Sequence, residues 1–298
     1  GVHNTGVGAY AMFTNTGGDY NTAIGGQAMY YTTTGQFNTG VGYDALQDNT
    51  TGSHNTAIGY QTLDLNTTGA SNTAVGSGSL GANTTASGNS AVGHHALVSN
   101  TTGVSNVAVG AYTLDANTDG DYNTALGALA LTDNTTANNN VAVGYFAMGV
   151  NSTGENNVAV GYAALDANTT ASDNTALGYA ALTSNTTASA NTAVGKNALY
   201  TNTTGASNVA MGWDALYANN GTYNNALGRE ALQQNTTGGS NNAFGFRALE
   251  ENTTASNNSA FGHEALTTNT TGSENSAFGK EALYTNNASN NSAFGVTA

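Results

Sequence analysis

Few side chains of this sequence could act as acids, bases, nucleophiles or metal ligands. The chain has no cysteine, which excludes disulfides and thiolate metal sites. Its five histidines have no accompanying carboxylates at a regular spacing, and we interpret them as solvated surface residues: His3, His54, His94, His95 and His263. If His94 and His95 lay in a strand, their side chains would point to opposite faces.

The acidic residues are isolated from one another along the chain. Asp64, Asp115 and Asp166 recur at one position of a repeat, three repeats apart, which is roughly 14 Å if repeats stack at strand spacing. That separation is too large for paired acid–base catalysis. The calcium-binding nonapeptide pattern is absent, although the sequence leaves open whether the surface holds a loosely bound cation. We therefore predict no catalytic set, no cofactor and no metal site, and we do not expect an enzyme.

Two groups of residues could contact a ligand or each other. Tyrosines occupy one repeat position in three successive repeats, at Tyr145, Tyr162 and Tyr179. Such a row could grip a sugar through the apolar ring faces, although simple ladder packing is the alternative. The four cations all lie in the second half, where Glu230, Arg247 and Glu264 would form a lateral charge ladder.

Asn-x-Thr sequons are numerous because the repeat contains an Asn-Thr-Thr turn, and they include Asn49, Asn66, Asn83, Asn100, Asn168 and Asn252. They would matter as glycosylation sites only in a host that modifies asparagine. We favour the interpretation that these asparagines form ladders between coils and stabilise the turns.

These positions are set by a short repeat that runs through the whole chain. Eighteen copies of a motif typified by Asn72–Gly76 follow one another, seventeen residues apart in all but two intervals, which are sixteen. We number the positions of one repeat as slots 1 to 17, starting at its first Asn. The consensus is then N-T-A-V-G-x-x-A-L-x-x-N-T-T-G-x-x. A fixed period of this length indicates a repeat architecture.

Each repeat has two short apolar segments, slots 1–5 and roughly slots 6–10, followed by a turn at slots 12–15. Neither segment is long enough for a helix, so we predict two strands and two turns per repeat. This is one coil of an all-β, parallel β-solenoid of about 17–18 coils. Asn ladders at slots 1 and 12 would bond between coils. We expect the missing residue of each sixteen-residue coil to fall in the turn.

We predict a single repeat array over residues 1–298, as the ordered part or a fragment of a longer fibre protein. Its repeat core consists of slot-4 and slot-9 residues: Val75, Leu80, Val92, Leu97, Val160, Leu165, Val194, Leu199, Phe244, Leu249, Phe261, Leu266, Phe278 and Leu283. Slots 3 and 4 must face opposite ways. Either Val and Leu fill the coil, or Ala lies inside and the large residues form an outer stripe at an axis between subunits.

The net charge of −14, with four Lys and Arg in total, argues against nucleic-acid binding. No apolar run reaches the length of a membrane span, so we expect no membrane insertion in this segment.

The Ala-Val-Gly and Ala-Phe-Gly cores of the repeats, such as Ala74-Val75-Gly76 and Ala277-Phe278-Gly279, resemble the head repeats of YadA-type trimeric autotransporter adhesins. Similar arrays resemble shafts of phage tail-fibre-like proteins. The resemblance implies a left-handed β-roll, three chains around one axis, and surface adhesion. Seventeen residues per coil departs from the roughly fourteen of the adhesin heads.

The sequence therefore predicts an extracellular, non-enzymatic fibre or adhesin head. It would be a homo-oligomer, with a trimer favoured, and a host surface or glycan is a possible ligand. A self-assembling end-to-end filament is one alternative. Ice binding through the Thr and Asn ladders of slots 12–14 is another.

Overall fold

The computed structural model describes residues 1–298, which fold as a parallel β-solenoid. The predicted all-β class is confirmed: the chain has eighteen strands of three residues each and no helix. It divides into two compact units, Gly1–Thr153 and Gly154–Ala298, called unit 1 and unit 2 below.

Unit 1 contains nine strands, each paired in parallel with the strand of the neighbouring coil. The register is one repeat, so that Thr56, Ala57 and Ile58 lie beside Thr73, Ala74 and Val75. The strands are β1 (Thr5–Val7), β2 (Thr22–Ile24), β3 (Thr39–Val41), β4 (Thr56–Ile58), β5 (Thr73–Val75), β6 (Ser90–Val92), β7 (Val107–Val109), β8 (Thr124–Leu126) and β9 (Val141–Val143).

Unit 2 repeats this arrangement with nine further strands. Phe244, for example, lies beside Phe261, and Phe261 beside Phe278. The strands are β10 (Val158–Val160), β11 (Thr175–Leu177), β12 (Thr192–Val194), β13 (Val209–Met211), β14 (Asn225–Leu227), β15 (Asn242–Phe244), β16 (Ser259–Phe261), β17 (Ser276–Phe278) and β18 (Ser292–Phe294).

The interior of the coil takes the small residue of each strand. The slot-3 alanines are buried, as Ala91 and Ala193 are at 0% exposure, while slots 2 and 4 face outward. Neither of the two arrangements considered from the sequence is found whole: slot 3 follows the one with Ala inside, and slot 9 follows the one with Leu inside. The single large interior side chain is the slot-9 Leu or Met, which packs beside the slot-8 residue.

The prediction of a second strand in each repeat, at slots 6–10, is wrong. Slots 6–11 form consecutive turns, because slots 7 and 9 adopt positive φ in coil after coil; Leu97, for example, has φ 53° and Leu199 also has φ 53°. The slot-8 N–H donates back to the slot-5 carbonyl, as Ala96 does to Gly93 at 3.4 Å. Alternating left-handed residues cannot form an extended strand, so only slots 2–4 pair as β-structure.

Slot 5 is glycine in every coil because no Cβ fits there. Gly93 has φ +141°, and a Cβ on it would lie 2.3 Å from the carbonyl oxygen of Gly110 in the next coil. Coils can therefore stack at strand spacing only where this position has no side chain.

The turn at slots 12–15 is held from inside by two buried asparagines. In the coil that begins at Asn55, the Asn55 Nδ2 donates to the Gly69 carbonyl at 2.8 Å, and the Asn66 Nδ2 donates to the same carbonyl at 3.0 Å. The Asn66 Nδ2 also reaches the Asn49 Oδ1 of the previous coil at 2.8 Å. Slot 12 thus forms the predicted side-chain ladder between coils.

The slot-1 ladder differs from the one expected. Its side-chain oxygen accepts mainly from the backbone of the next coil, as the Asn55 Oδ1 does from the Asn72 N–H at 3.0 Å. The amide group therefore links its own turn to the following strand, and both of its polar atoms are satisfied although it is fully buried.

The two sixteen-residue coils lose a residue from the turn, as predicted. In one of them Asn208 and Asn219 still both donate to the slot-15 carbonyl, that of Gly221, at 2.9 Å. The side-chain oxygen of Asn220 accepts the Thr203 N–H at 2.8 Å and the Thr204 N–H at 3.2 Å. A side chain thus replaces the slot-13 carbonyl that accepts these bonds in full-length coils.

Which residue lies inside can be tested with neighbouring substitutions in one strand. We expect Ala91→Val to lower the free energy of unfolding by about 1–3 kcal/mol, because it overpacks the interior. Val92→Ala should cost less than about 1 kcal/mol, because Val92 faces outward. Urea unfolding at low protein concentration measures both values. A larger cost for Val92→Ala than for Ala91→Val would contradict this arrangement.

Candidate functional site

The outward slot-4 side chains form an apolar row on the strand face of each unit, which we call the slot-4 stripe. In unit 1 it consists of Val7, Ile24, Val41, Ile58, Val75, Val92, Val109, Leu126 and Val143. In unit 2 it consists of Val160, Leu177, Val194, Met211, Leu227, Phe244, Phe261, Phe278 and Phe294. All are half-buried or exposed in the single chain. Contiguous apolar surface of this kind marks interaction sites.

The predicted repeat core needs correction on this point. Its leucines lie inside the coil: Leu80, Leu97, Leu165, Leu199, Leu249 and Leu266 are fully buried, and Leu283 is half-buried. Its other members lie outside on the slot-4 stripe: Val75, Val92, Val160, Val194, Phe244, Phe261 and Phe278. The leucines therefore cannot lie at an axis between subunits, because their own coil already covers them.

The stripe of unit 2 ends in a column of parallel phenylalanine rings. Phe244, Phe261, Phe278 and Phe294 stack in sequence, with centroids 4.7, 4.9 and 5.0 Å apart and ring planes within 5° of each other. Since stacking covers the ring faces, the column presents ring edges to its surroundings. A partner would meet a continuous apolar ridge there.

No charged residue occupies slot 2 or slot 4 in any coil, although the chain carries 18 acidic residues. Slot 2 holds Thr, Ser, Val or Asn. The strand face is therefore uncharged in a strongly acidic protein, and two such faces could approach without direct charge repulsion.

The tyrosines proposed as ligand contacts are half exposed and contact other aromatic rings. Tyr162 and Tyr179 in unit 2 stack face to face, with centroids 5.2 Å apart and planes 8° apart. The Lys196 ammonium lies 5.9 Å from the Tyr179 ring centroid. Tyr145, in unit 1, lies 6.4 Å from the Phe146 ring in a tilted arrangement. The stacked geometry favours the ladder-packing alternative for Tyr162 and Tyr179.

The cations of unit 2 are partly neutralised by carboxylates. Arg247 Nε and Arg229 Nη2 each lie 2.7 Å from a Glu230 carboxylate oxygen, and the hydrogen bond from Arg247 is the main cause that lowers the pKa of Glu230. Glu264 lies 3.5 Å from His263. The predicted charge ladder thus holds for Glu230 and Arg247. Arg229 also stacks on Trp213, 4.3 Å from its centroid.

The expected arrangement of His94 and His95 is wrong. Their rings stack on one another with centroids 4.1 Å apart, because slots 6 and 7 form a turn instead of a strand. Among residues 1–298, no group of three or more His, Asp or Glu side chains is placed to hold a metal ion. No helix of the structure has the length and apolarity needed to cross a membrane.

Three carboxylates of unit 1, those of Asp44, Asp48 and Asp64, lie close enough to influence one another, which was not predicted from the sequence. Burial, with smaller contributions from Asp48 and Asp44, raises the pKa of Asp64 to about 6. The pKa of Asp48 is also raised, first by burial and then by Asp44. Slots 7 and 11 of one coil and slot 10 of the next converge here, which a search across repeats could have found. Burial also raises the pKa of Asp166, although this carboxylate accepts a hydrogen bond from Thr183 that lowers it.

Burial of the slot-12 asparagines bears on two surface functions suggested by the Asn-Thr-Thr turn. The sequon asparagines at slot 12 are fully buried, among them Asn49, Asn66, Asn83, Asn100, Asn168 and Asn252, so a glycan could not be attached to them in the folded coil. The same burial removes Asn from the exposed array on which ice binding was argued. The slot-13 threonines form a bend and donate to carbonyls, as Thr67 does to Thr84 at 3.0 Å.

Asp64 should make stability depend on pH. Because its pKa is raised on folding, its contribution is fully present below about pH 4 and is lost as the pH rises through about 6. We expect Asp64→Asn to increase the free energy of unfolding at pH 7 by about 1 kcal/mol, after allowance for solvent screening of a half-exposed group. The gain should vanish near pH 3.5 in urea titrations.

Asp133→Asn, at an exposed position of the same unit, controls for the loss of one negative charge. An equal effect of both substitutions at pH 7 would contradict a local role for Asp64.

Comparisons with known proteins do not assign the chain to a family. No family model matches the sequence, and no curated protein matches it. The resemblance to YadA-type heads therefore stays a prediction that rests on the repeat motif.

Proposed function

We propose that this chain is a non-enzymatic structural protein, a rigid fibre or adhesin head that associates with further copies of itself through the slot-4 stripe. The observation that carries this proposal is the division of apolar residues within each coil. One large residue is sealed inside, and the other is repeated on the outer face of β1–β9 and of β10–β18.

The stripe would have an energetic reason to be covered. Side chains such as Ile58, Leu177 and Leu227 are each more than two-fifths exposed in the single chain. Burial of apolar surface contributes roughly 25 cal/mol per Å², so a row of nine coils adds many small increments. Exposed rows of this length also promote association in water.

A second copy of this chain is the partner that fits the stripe best. Coils stack at ~4.8 Å, and a row with the same spacing can stay in register along a whole unit. Another copy has that spacing and the same uncharged strand face. A cyclic arrangement around the stripe closes the assembly, and the resemblance favours three chains.

The rest of the proposal concerns where such an assembly acts. An acidic array with a net charge of −14 suits an appendage whose charge opposes non-specific association. We propose an extracellular location on a cell or virion surface, with reach and attachment as the function. The alternative is growth into end-to-end filaments, which the experiment below distinguishes from a closed oligomer.

We expect Phe261→Ser combined with Phe278→Ser to weaken the assembly. Both rings lie on the stripe, and their loss removes stacked apolar area from the proposed interface. Light scattering at several concentrations should show a fixed oligomer for the unmodified chain and a shift to monomer for the variant, while circular dichroism stays unchanged.

Tyr200→Ser combined with Tyr217→Ser is the matched control. These two rings also stack, with centroids 5.1 Å apart, but they lie at slot 10, away from the strand face. This control should keep the mass of the oligomer. A monomeric unmodified chain would overturn the proposal, and growth without an end point would favour filaments.

A further inference from the structure

A groove of about 680 Å³ runs over the first coils of unit 1, on a side of the coil that the slot-4 stripe does not use. One wall is a slot-11 column, Thr14, Tyr31 and Asp48, with Gln47 beside it. The other wall is a slot-13 column, Thr33, Thr50 and Thr67. The residues of each column follow one another at coil spacing, ~4.8 Å.

Most polar groups of the groove can only accept hydrogen bonds from a ligand. The hydroxyl hydrogens of Thr33 and Thr50 are donated to carbonyls of the next coil at 3.0 and 2.9 Å. Both amide hydrogens of Gln47 are engaged, with the Gln27 Oε1 at 2.8 Å and the Asp44 Oδ1 at 2.9 Å. The Gln47 carbonyl oxygen and the Asp48 carboxylate remain as acceptors, so a ligand must bring donors.

The negative charge around the groove also favours a ligand that carries donors and a positive group. Unit 1 contains eight aspartates and no Lys, Arg or Glu. Asp48 lies near Asp44 and Asp64, and no cation of the unit offsets this group. An anionic ligand would be repelled, whereas a positive group would relieve the repulsion among these carboxylates.

Tyr31 adds an aromatic surface to the acceptors. Its side chain is about half exposed. Its ring makes an edge contact with the Tyr30 ring, with centroids 4.6 Å apart, and no parallel ring is stacked on it. Its neighbours in the slot-11 column are the small side chains of Thr14 and Asp48. The ring therefore differs from Tyr162 and Tyr179, which cover one another, and an aromatic ring next to a carboxylate suits both an ammonium group and the apolar face of a pyranose.

We propose that this groove binds an amino sugar with a free amine, as part of an oligosaccharide that lies along the coils. The ammonium would contact Tyr31 and Asp48, and the sugar hydroxyls would donate to Gln47 and to the threonine column. A β-1,4-linked pyranose chain advances by a distance comparable to the coil spacing, so one sugar can meet Tyr31 and Asp48 while the sugars beside it meet the threonine column. The inference names a ligand class for the attachment role proposed above and rests on that role.

The direct test is calorimetric titration of the full chain with a glucosamine tetramer at physiological salt. We expect saturable binding, and we expect Asp48→Asn and Tyr31→Ala each to weaken it about tenfold, which corresponds to about 1.4 kcal/mol. The fully N-acetylated tetramer, which lacks the ammonium, should bind at least tenfold more weakly than the free amine.

Two controls separate this site from general attraction to an acidic protein. Asp133→Asn removes a carboxylate from slot 11 in the same unit but outside the groove, and Tyr122→Ala removes an exposed ring at slot 17. Neither should change the affinity. Equal losses with Asp133→Asn and Asp48→Asn, equal affinity for the N-acetylated tetramer, or no binding at all would each overturn the inference.

Failure of this inference can be distinguished from failure of the proposed function. The groove variants do not touch the slot-4 stripe, so light scattering on the same samples should give an unchanged mass. A fixed oligomer that does not bind the amino sugar would overturn the proposed ligand and would leave the proposed assembly unaffected.

Discussion

In nearly every coil the fold depends on a carbonyl group at slot 15 that accepts two hydrogen bonds from asparagine side chains. The coil that begins at Asn21 is an exception, because its slot 12 holds Thr32 and only Asn21 donates to the Gly35 carbonyl. In the coil that begins at Asn55 the two donors are Asn55 and Asn66, and the acceptor is Gly69. Each bond of this kind contributes about 1 kcal/mol net, but a buried amide left without its partner would cost more. The turn therefore cannot change its path without leaving buried polar atoms unpaired, and both sixteen-residue coils keep the pair of bonds.

This constraint also decides where apolar residues can lie. Two amides, two small residues and one Leu or Met occupy the interior of nearly every coil, and the slot-4 side chain, on the opposite face of the strand from slot 3, lies outside. The drift of slot 4 from Val in unit 1 to Phe in unit 2 changes the surface and leaves the interior as it was. Stability and surface chemistry are thus set by different slots, which lets one coil design present a stripe on one side and the groove beside Tyr31 on another.

Much of this could be predicted from the sequence. The seventeen-residue period, a strand within slots 1–5 and the shortened turns follow from spacing. Which of slots 3 and 4 lies inside was left open, because alternation along a strand fixes only that they face opposite ways. The second strand could not be rejected in the same way, because a Leu such as Leu97 is unfavourable at positive φ and gives no signal for a turn. The same error placed His94 and His95 on opposite faces.

The acidic group of Asp44, Asp48 and Asp64 was missed for a different reason. These residues occupy three different slots in two coils, so the repeat pattern, which aligns residues of the same slot, does not bring them together. Their proximity depends on how far the turns at slots 7 and 11 fold toward slot 10 of the next coil. Similarly, the burial of Asn66 in an apparent glycosylation sequon follows from the coil geometry and not from the Asn-Thr-Thr sequence itself.

The central claim is that each coil keeps Leu, Ala and Asn inside and offers its slot-4 residues to other copies of the chain. Because the chain has no cysteine, a nitroxide label can be attached at one introduced position without side reactions. A label at Val92→Cys should be immobilised and show strong dipolar coupling between chains, while a label at the exposed slot-14 position, Thr85→Cys, should be mobile and weakly coupled. A mobile, uncoupled label at Val92→Cys would contradict the account.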